Sequence, residues 1–215
     1  LKYPLQIQKV SLPNGPQNIL VPDITLVRKQ YEDGRLNSFP YWSAIWPSSV
    51  ALSVFIQQNP ELIKNKILLE LAAGLGLPSL VAAAYAQTIY CTDMDADAVQ
   101  IAAESAKENS IKNMHCACMN WNDIPAGLHA DILLLSDVNY DTTAFAELLQ
   151  VIQRFIKQGT TILLATPQRL MAKPFIEQLL FWCNTQQQIL AHLPDGNSAE
   201  IIVYILTLNK DELVK

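Results

Sequence analysis

Charge is scarce in this chain of 215 residues: Asp, Glu, Lys and Arg together make up 16%, against roughly a quarter in average globular proteins. Half the residues are hydrophobic, which excludes intrinsic disorder and leads us to expect a sizeable core. Basic residues form no cluster, and 20 acids outnumber 15 bases for a net charge of −5. A protein that lives on phosphate contacts carries the opposite sign, so nucleic acid is not an expected partner. Cysteine is too sparse for a disulfide framework: Cys91, Cys116, Cys118 and Cys183 stand at irregular spacings, which fits a reducing, cytoplasmic compartment. Leu1-Lys2-Tyr3-Pro4 has no basic stretch backed by an apolar run, so no signal peptide is expected.

An unbroken apolar run long enough for a membrane is also missing. Residues 67–86 come nearest, but Glu70, Gly74, Gly76 and Pro78 interrupt them and turn the segment into strand, tight turn and helix. We therefore expect no membrane contact. His115-Cys116-Ala117-Cys118 lacks a second ligand pair, and its His and cysteines alternate to opposite faces of a strand, so no metal is expected. Ser43, Ser48 and Ser49 lack a G-x-S-x-G context, which leaves a hydrolase triad unsupported. There is no internal repeat, low-complexity tract or linker. One domain over 1–215 is expected, and a monomer. Within it, 1–45 would hold N-terminal strands and an aromatic segment, and 46–215 the core.

Strand and helix patterns then order themselves along the chain. Leu5 to Arg28 reads as strands broken at Pro13-Asn14-Gly15-Pro16 and at Pro22-Asp23, a hairpin or two. Pro47 opens a helix with Val50, Ala51, Val54 and Phe55 on one face. From Lys66, apolar strands (67–71, 88–93, 115–119, 132–136, 161–165) alternate with helices (77–86, from Asp95, from Phe145 to Gly159, and 174–183). Asp95 is placed to cap its helix, whose Val99, Ala102, Ala103 and Ala106 share a face. Continuous rather than alternating strands mean a parallel sheet covered on both faces. The last two strands, 188–193 and 200–208, are joined only by Pro194-Asp195-Gly196-Asn197 and must be antiparallel. The expected fold is α/β: a doubly wound, Rossmann-like, mostly parallel seven-stranded sheet ending in an antiparallel hairpin, with an N-terminal β-hairpin extension.

The strongest chemical signal is the first strand-to-helix turn of that core, Leu69-Glu70-Leu71-Ala72-Ala73-Gly74-Leu75-Gly76-Leu77-Pro78. Small residues there let backbone approach a ligand, and the helix start offers unpaired N–H groups; the same glycines would also suit a turn needing them for its own geometry. About twenty residues on, at the end of the next strand, Asp93 can accept from both hydroxyls of a ribose, or else serve only a helix start. Together the two imply an adenosine-containing cofactor. Glu70 is out of place for a dinucleotide and makes sense if a cationic amine is held near the loop, as in the amino-acid end of S-adenosyl-L-methionine. An NAD-binding oxidoreductase remains the alternative from another class, and a non-catalytic adaptor the third.

At these residues the sequence resembles the class I, seven-strand methyltransferases, whose first motif runs E/D-x-G-x-G-x-G; Ala72 takes the place of the first Gly. The terminal hairpin also separates that fold from dinucleotide-binding domains. Three further stretches resemble the family-16 methyltransferases, which include protein-lysine and nicotinamide-methyltransferase-like members: Tyr41-Trp42-Ser43-Ala44-Ile45-Trp46-Pro47-Ser48, Asn120-Trp121-Asn122-Asp123, and Ser136-Asp137-Val138-Asn139-Tyr140-Asp141, which carries a D-x-x-Y signature as Asp137 and Tyr140.

The resemblance implies a cofactor pocket lined by Trp46, Glu70, Ala72, Gly74, Gly76, Asp93, Met94, Asn120, Trp121 and Ser136. It implies Asp137 and Tyr140 as the catalytic pair. Met94 can lie on the adenine with its thioether, and Asn120 can serve the adenine edge. Trp121 is equally readable as a core aromatic, and Trp42 and Trp46 as staples for the following helix. Asp137 sits where open α/β sheets bind ligands, and Asp141, Thr142 and Thr143 are better placed for capping. The implied activity is N-methyl transfer from S-adenosyl-L-methionine to a protein lysine, or alternatively to a small nicotinamide-like amine. The adenine-amino signature N-P-P-[YFW] is absent, since Asp137-Val138-Asn139-Tyr140 stands there instead.

Overall fold

In the computed structural model of the chain, residues 2–36 and 39–208 are described; the outer ends of the expected domain, Leu1 and residues 209–215, lie outside them. Strands β1 (Leu5–Val10) and β2 (Gln17–Pro22) pair antiparallel in a sheet of their own, the expected hairpin. Ile24–Arg28, expected as strand, instead belongs to helix α1 (Ile24–Glu32). The Asp23 carboxylate accepts from the Thr25 and Leu26 amides, and this cap outweighs the strand preference of the β-branched residues behind it.

The main sheet has seven strands: β3 (Ile67–Glu70), β4 (Thr88–Asp93), β5 (Met114–Cys118), β6 (Ile132–Ser136), β7 (Thr161–Thr166), β8 (Cys183–His192) and β9 (Ser198–Leu206). Their spatial order is β5-β4-β3-β6-β7-β9-β8. Only β9 runs against its neighbours, through antiparallel pairing to both β7 and β8. The order reverses between β3 and β6, and in open α/β sheets ligands bind at the carboxyl ends beside such a switch point.

Helices α2 (Pro47–Gln58), α3 (Leu77–Ala82) and α4 (Ala96–Glu108) cover one face, while α5 (Phe145–Lys157) and α6 (Lys173–Leu179) cover the other. Alternate residues of β3, β6, β7 and β9 feed the two cores. Leu68, Leu134 and Leu163 face α2 and α3; Leu69, Leu133 and Leu164 face Phe155 and Phe175. On α5, Leu148, Val151, Ile152, Phe155 and Ile156 are buried, one helical stripe against the sheet. The β1–β2 hairpin joins the first core through Val10, Ile19 and Val21.

Two boundaries differ from expectation. The helix read over 174–183 ends at Leu179, and after a short 3-10 turn (Leu180–Trp182) Cys183 already opens β8. Pairing of Cys183, Thr185 and Gln186 with β9 decides this. The exposed polar residues of an edge strand give no hydrophobic pattern that a sequence reading can use. Helix α3 stops at Ala82, and residues 83–85 form a turn.

Candidate active site

The loop after β3 is built on left-handed backbone. Ala72 (φ +52°), Gly74 (+54°) and Gly76 (+73°) all lie there, so Ala72 keeps a glycine's conformation at about 1–2 kcal/mol of strain. A Cβ on Gly76 would stand 2.9 Å from Cys91 Sγ, and one on Gly74 would stand 3.3 Å from the Trp42 carbonyl oxygen. Asp93, buried at the end of β4, anchors this loop: its Oδ2 accepts from the Gly74 amide at 2.8 Å and its Oδ1 from the Asp95 amide at 2.9 Å. Burial pushes the Asp93 carboxyl above its ordinary pKa, and these hydrogen bonds act against that shift.

Above the loop opens a cavity of about 340 Å³, within the size range of small-molecule sites. Its wall brings together Trp46, Ala72, Gly74, Gly76, Asp93, Met94, Asn120, Trp121, Ser136, Asp137 and Tyr140. Met94 is 73% exposed and lines the cavity. Asn120 Oδ1 accepts from the Asn122 amide, which holds the side chain and leaves its NH₂ group to donate. Trp121 lines the cavity and also packs against the α5 core.

Glu70 stands apart from that wall. It is fully buried; Oε2 accepts from the Ser79 amide at 3.0 Å and from Ser79 Oγ at 2.5 Å, while Oε1 has no partner among the described residues. Burial drives its pKa up to about 8. The structure does not bring Glu70 into the cavity wall with the other expected residues: its Oε2 is turned under the first turn of α3, where unpaired helix amides attract it.

At the other end of the cavity, Asp137 follows β6 in left-handed backbone (φ +57°), its amide donating to the Ala165 carbonyl. Its Oδ1 accepts from the Arg169 guanidinium at 2.5 Å, and Oδ2 makes no hydrogen bond among the described residues. Asp141 caps the following 3-10 turn through the amide and hydroxyl of Thr143, so Asp137 has no capping duty. Between Asp137 and Tyr140, Asn139 is buried and accepts from Thr166 Oγ1 at 2.6 Å, which ties the β6 loop to the end of β7. The Tyr140 ring lies 5.0 Å from that of Tyr41, and burial holds its hydroxyl above the usual pKa.

Tyr41 continues an aromatic row. Its ring is 4.8 Å from Phe39 and 6.1 Å from Trp46, and Trp46 Nε1 donates to the Tyr41 carbonyl. Arg169 and Met119 are cavity residues that the sequence reading did not single out. The rule that flagged Asp137, a polar residue just past a strand's carboxyl end, would have flagged Arg169 after β7 as well.

A family model described as lysine methyltransferase matches residues 39–181. The chain belongs to that family. Among its relatives, the electron transfer flavoprotein beta subunit lysine methyltransferase of Rattus norvegicus is 29% identical over 134 residues, which cover 61% of this chain and 52% of that protein. The histone-arginine methyltransferase METTL23 of Homo sapiens is 25% identical over 144 residues, 64% of this chain and 76% of that protein. The chain spans about half the length of the electron transfer flavoprotein relatives it matches.

Among solved structures, the 16S rRNA N2 G1207 methyltransferase RsmC of T. thermophilus, in complex with AdoMet and guanosine, aligns with a TM-score of 0.65 at 14% identity, over 95% of this chain and 51% of that one. An RNA methyltransferase from Pyrococcus horikoshii aligns at 0.59 and 16%, over 74% of this chain and 85% of that one. At such identity the likeness is one of fold. Family and fold imply S-adenosyl-L-methionine as cofactor, and the site's donor set fits it. An acid with a free acceptor face stands at the loop, a thioether lies open beside it, and left-handed backbone at Gly74 and Gly76 leaves no room for side chains beneath. No helix among the described residues is long and apolar enough to cross a membrane.

Proposed function

We propose that this chain is a protein-lysine N-methyltransferase that uses S-adenosyl-L-methionine. The observation that carries the proposal is the single cavity in which the Gly74–Gly76 loop and Asp93 share a wall with Asp137, Tyr140 and the aromatic row. When bound, the cofactor supplies an electrophilic methyl group on a sulfonium. Asp93 would accept from ribose hydroxyls, Met94 and Trp121 would flank the adenine, and the Asn120 amide would serve its edge. Asp137 Oδ2 would accept an N–H of the incoming amine, and Tyr41 and Tyr140 would wall its alkyl stem while offering ring faces to positive charge.

A free lysine has a pKa of about 10.4, and only its neutral form carries the lone pair needed for attack. Water would take the proton, so no further base is required. Alignment of the amine, rather than covalent catalysis, is the protein's contribution. The acidic balance of the chain (net charge −5) suits a basic protein segment better than a nucleic acid.

The test is incubation of the purified protein with methyl-labelled S-adenosyl-L-methionine and a desalted cell lysate, with added small metabolites in a parallel sample. Label in a discrete protein band, recovered as methyl-lysine after hydrolysis and lost in Asp137→Ala, is the expected result. Label confined to the metabolite fraction would reassign the enzyme to small amines, and label in neither fraction would remove the reading.

A further inference from the structure

Arg169 contributes the cavity wall's one Lys or Arg side chain among the described residues, and it is spent on Asp137. Its guanidinium side chain is 29% exposed and the Asp137 side chain 10%, so the pair sits where water screens it only partly. One carboxylate oxygen is occupied and the other has no partner among the described residues. Asp137 itself is held rigidly: a left-handed backbone, an amide donating to the Ala165 carbonyl, and the Asn139–Thr166 hydrogen bond two residues on leave its carboxylate little freedom.

We infer that Arg169 is a positioning residue that makes the acceptor subsite select a neutral amine over an ammonium. The inference rests on the methyltransferase reading above. A lone buried carboxylate beside an amine stabilises the protonated form, which has no lone pair to give. A guanidinium fixed on Oδ1 cancels that charge and still leaves Oδ2 as a hydrogen-bond acceptor. Asp137 then orients the amine without holding it as a cation. Arginine suits this duty because it stays charged at every working pH.

The other groups facing Asp137 and Tyr140 do not replace Arg169. From the end of β4 come Asp93 and Asp95; from the β6 loop, Tyr140 and Asp141; from the aromatic segment, Tyr41. All are acidic or neutral, so without Arg169 the subsite would favour an ammonium strongly.

The experiment uses the full chain loaded with S-adenosylhomocysteine and n-butylamine as a probe for a lysine side chain, with affinity followed by NMR titration from pH 7 to pH 9. Because the neutral fraction of such an amine rises about tenfold per pH unit in this range, wild-type affinity is expected to rise by nearly that factor per unit. Arg169→Gln should bind the probe at least fivefold more tightly than wild type at pH 7 and lose most of the pH slope. Arg169→Lys should stay near wild type, and Asp137→Asn added to Arg169→Gln should abolish the gain.

A flat wild-type profile overturns the inference, and that measurement needs no variant to fold. So does an Arg169→Gln variant that binds S-adenosylhomocysteine normally yet shows the wild-type slope, or no probe binding at all. Absence of methyl transfer in the labelling experiment, with this pattern intact, would remove the enzymatic reading and leave the amine selectivity standing.

Discussion

The amide of Gly74 donates to Asp93 Oδ2 at 2.8 Å, so the loop after β3 and the carboxyl end of β4 form one unit. The same carboxylate accepts from the Asp95 amide, which leads into α4, where Asp95 in turn caps the Asp97 and Ala98 amides. One buried acid thus sets the floor of the cavity and the start of the adjoining helix. The remaining lone pairs of its oxygens are what a ribose would use.

Asp93→Ala should therefore do two kinds of harm. It leaves the Gly74 and Asp95 amides without their acceptor, and hydrogen bonds to charged groups contribute about 1.5–3 kcal/mol each. Asp93→Asn keeps one acceptor oxygen and should be milder. We expect S-adenosylhomocysteine affinity, measured by calorimetry, to fall at least 100-fold in the alanine variant and roughly tenfold in the asparagine variant. Binding by Asp93→Ala within threefold of wild type would remove Asp93 from the cofactor site.

How much of this was legible follows from how local each feature is. The glycine loop, the Asp95 cap and the Asp137–Tyr140 signature announce themselves within a few residues, because turn geometry and capping are decided by neighbours. The mostly parallel sheet followed from continuous apolar runs alternating with helices, and the 194–197 turn fixed the hairpin. Arg169 could be flagged by its place after β7, but its pairing with Asp137 could not, because the partner lies 32 residues away and nothing in Pro167-Gln168-Arg169 signals it. The direction of the Glu70 side chain was illegible for a related reason: its place at a strand end could be read, but its orientation depends on Ser79 in the next helix. Helix α1 was lost because the local Asp23 cap outweighs a strand-like composition, and the first half of β8 because pairing with β9 overrides an exposed polar pattern.

Gly76 offers a test of the loop's packing. At φ +73° an alanine costs about 1–2 kcal/mol of backbone strain, and its Cβ would meet Cys91 Sγ at 2.9 Å, an overpacking that typically costs 1–3 kcal/mol more. Gly76→Ala should lower stability in urea unfolding by about 2–5 kcal/mol. Adding Cys91→Ala makes room for the new methyl, so the double variant should be less destabilised than the two single losses summed. Strict additivity would mean that Cys91 does not crowd position 76.

Glu70 gives the fold a pH dependence of unusual sign for a carboxylate. Burial raises its pKa from 4.5 to about 8 in the folded chain, so between those values the native state binds more protons than the unfolded state. Stability then falls as pH rises. The contribution is fully present below about pH 4.5 and is lost by about pH 8, with a slope of at most about 1.4 kcal/mol per pH unit. Asp93, also raised by burial, acts in the same direction from its lower ordinary value. Glu70→Gln keeps an acceptor for Ser79 and removes the titrating group. Its stability, followed by urea unfolding from pH 5 to pH 8, should therefore decline less steeply than that of wild type, with the advantage of the variant widening toward pH 8. Parallel curves for the two proteins would mean that Glu70 is ionised throughout that range, which would require a partner for Oε1 in place of the isolation seen here.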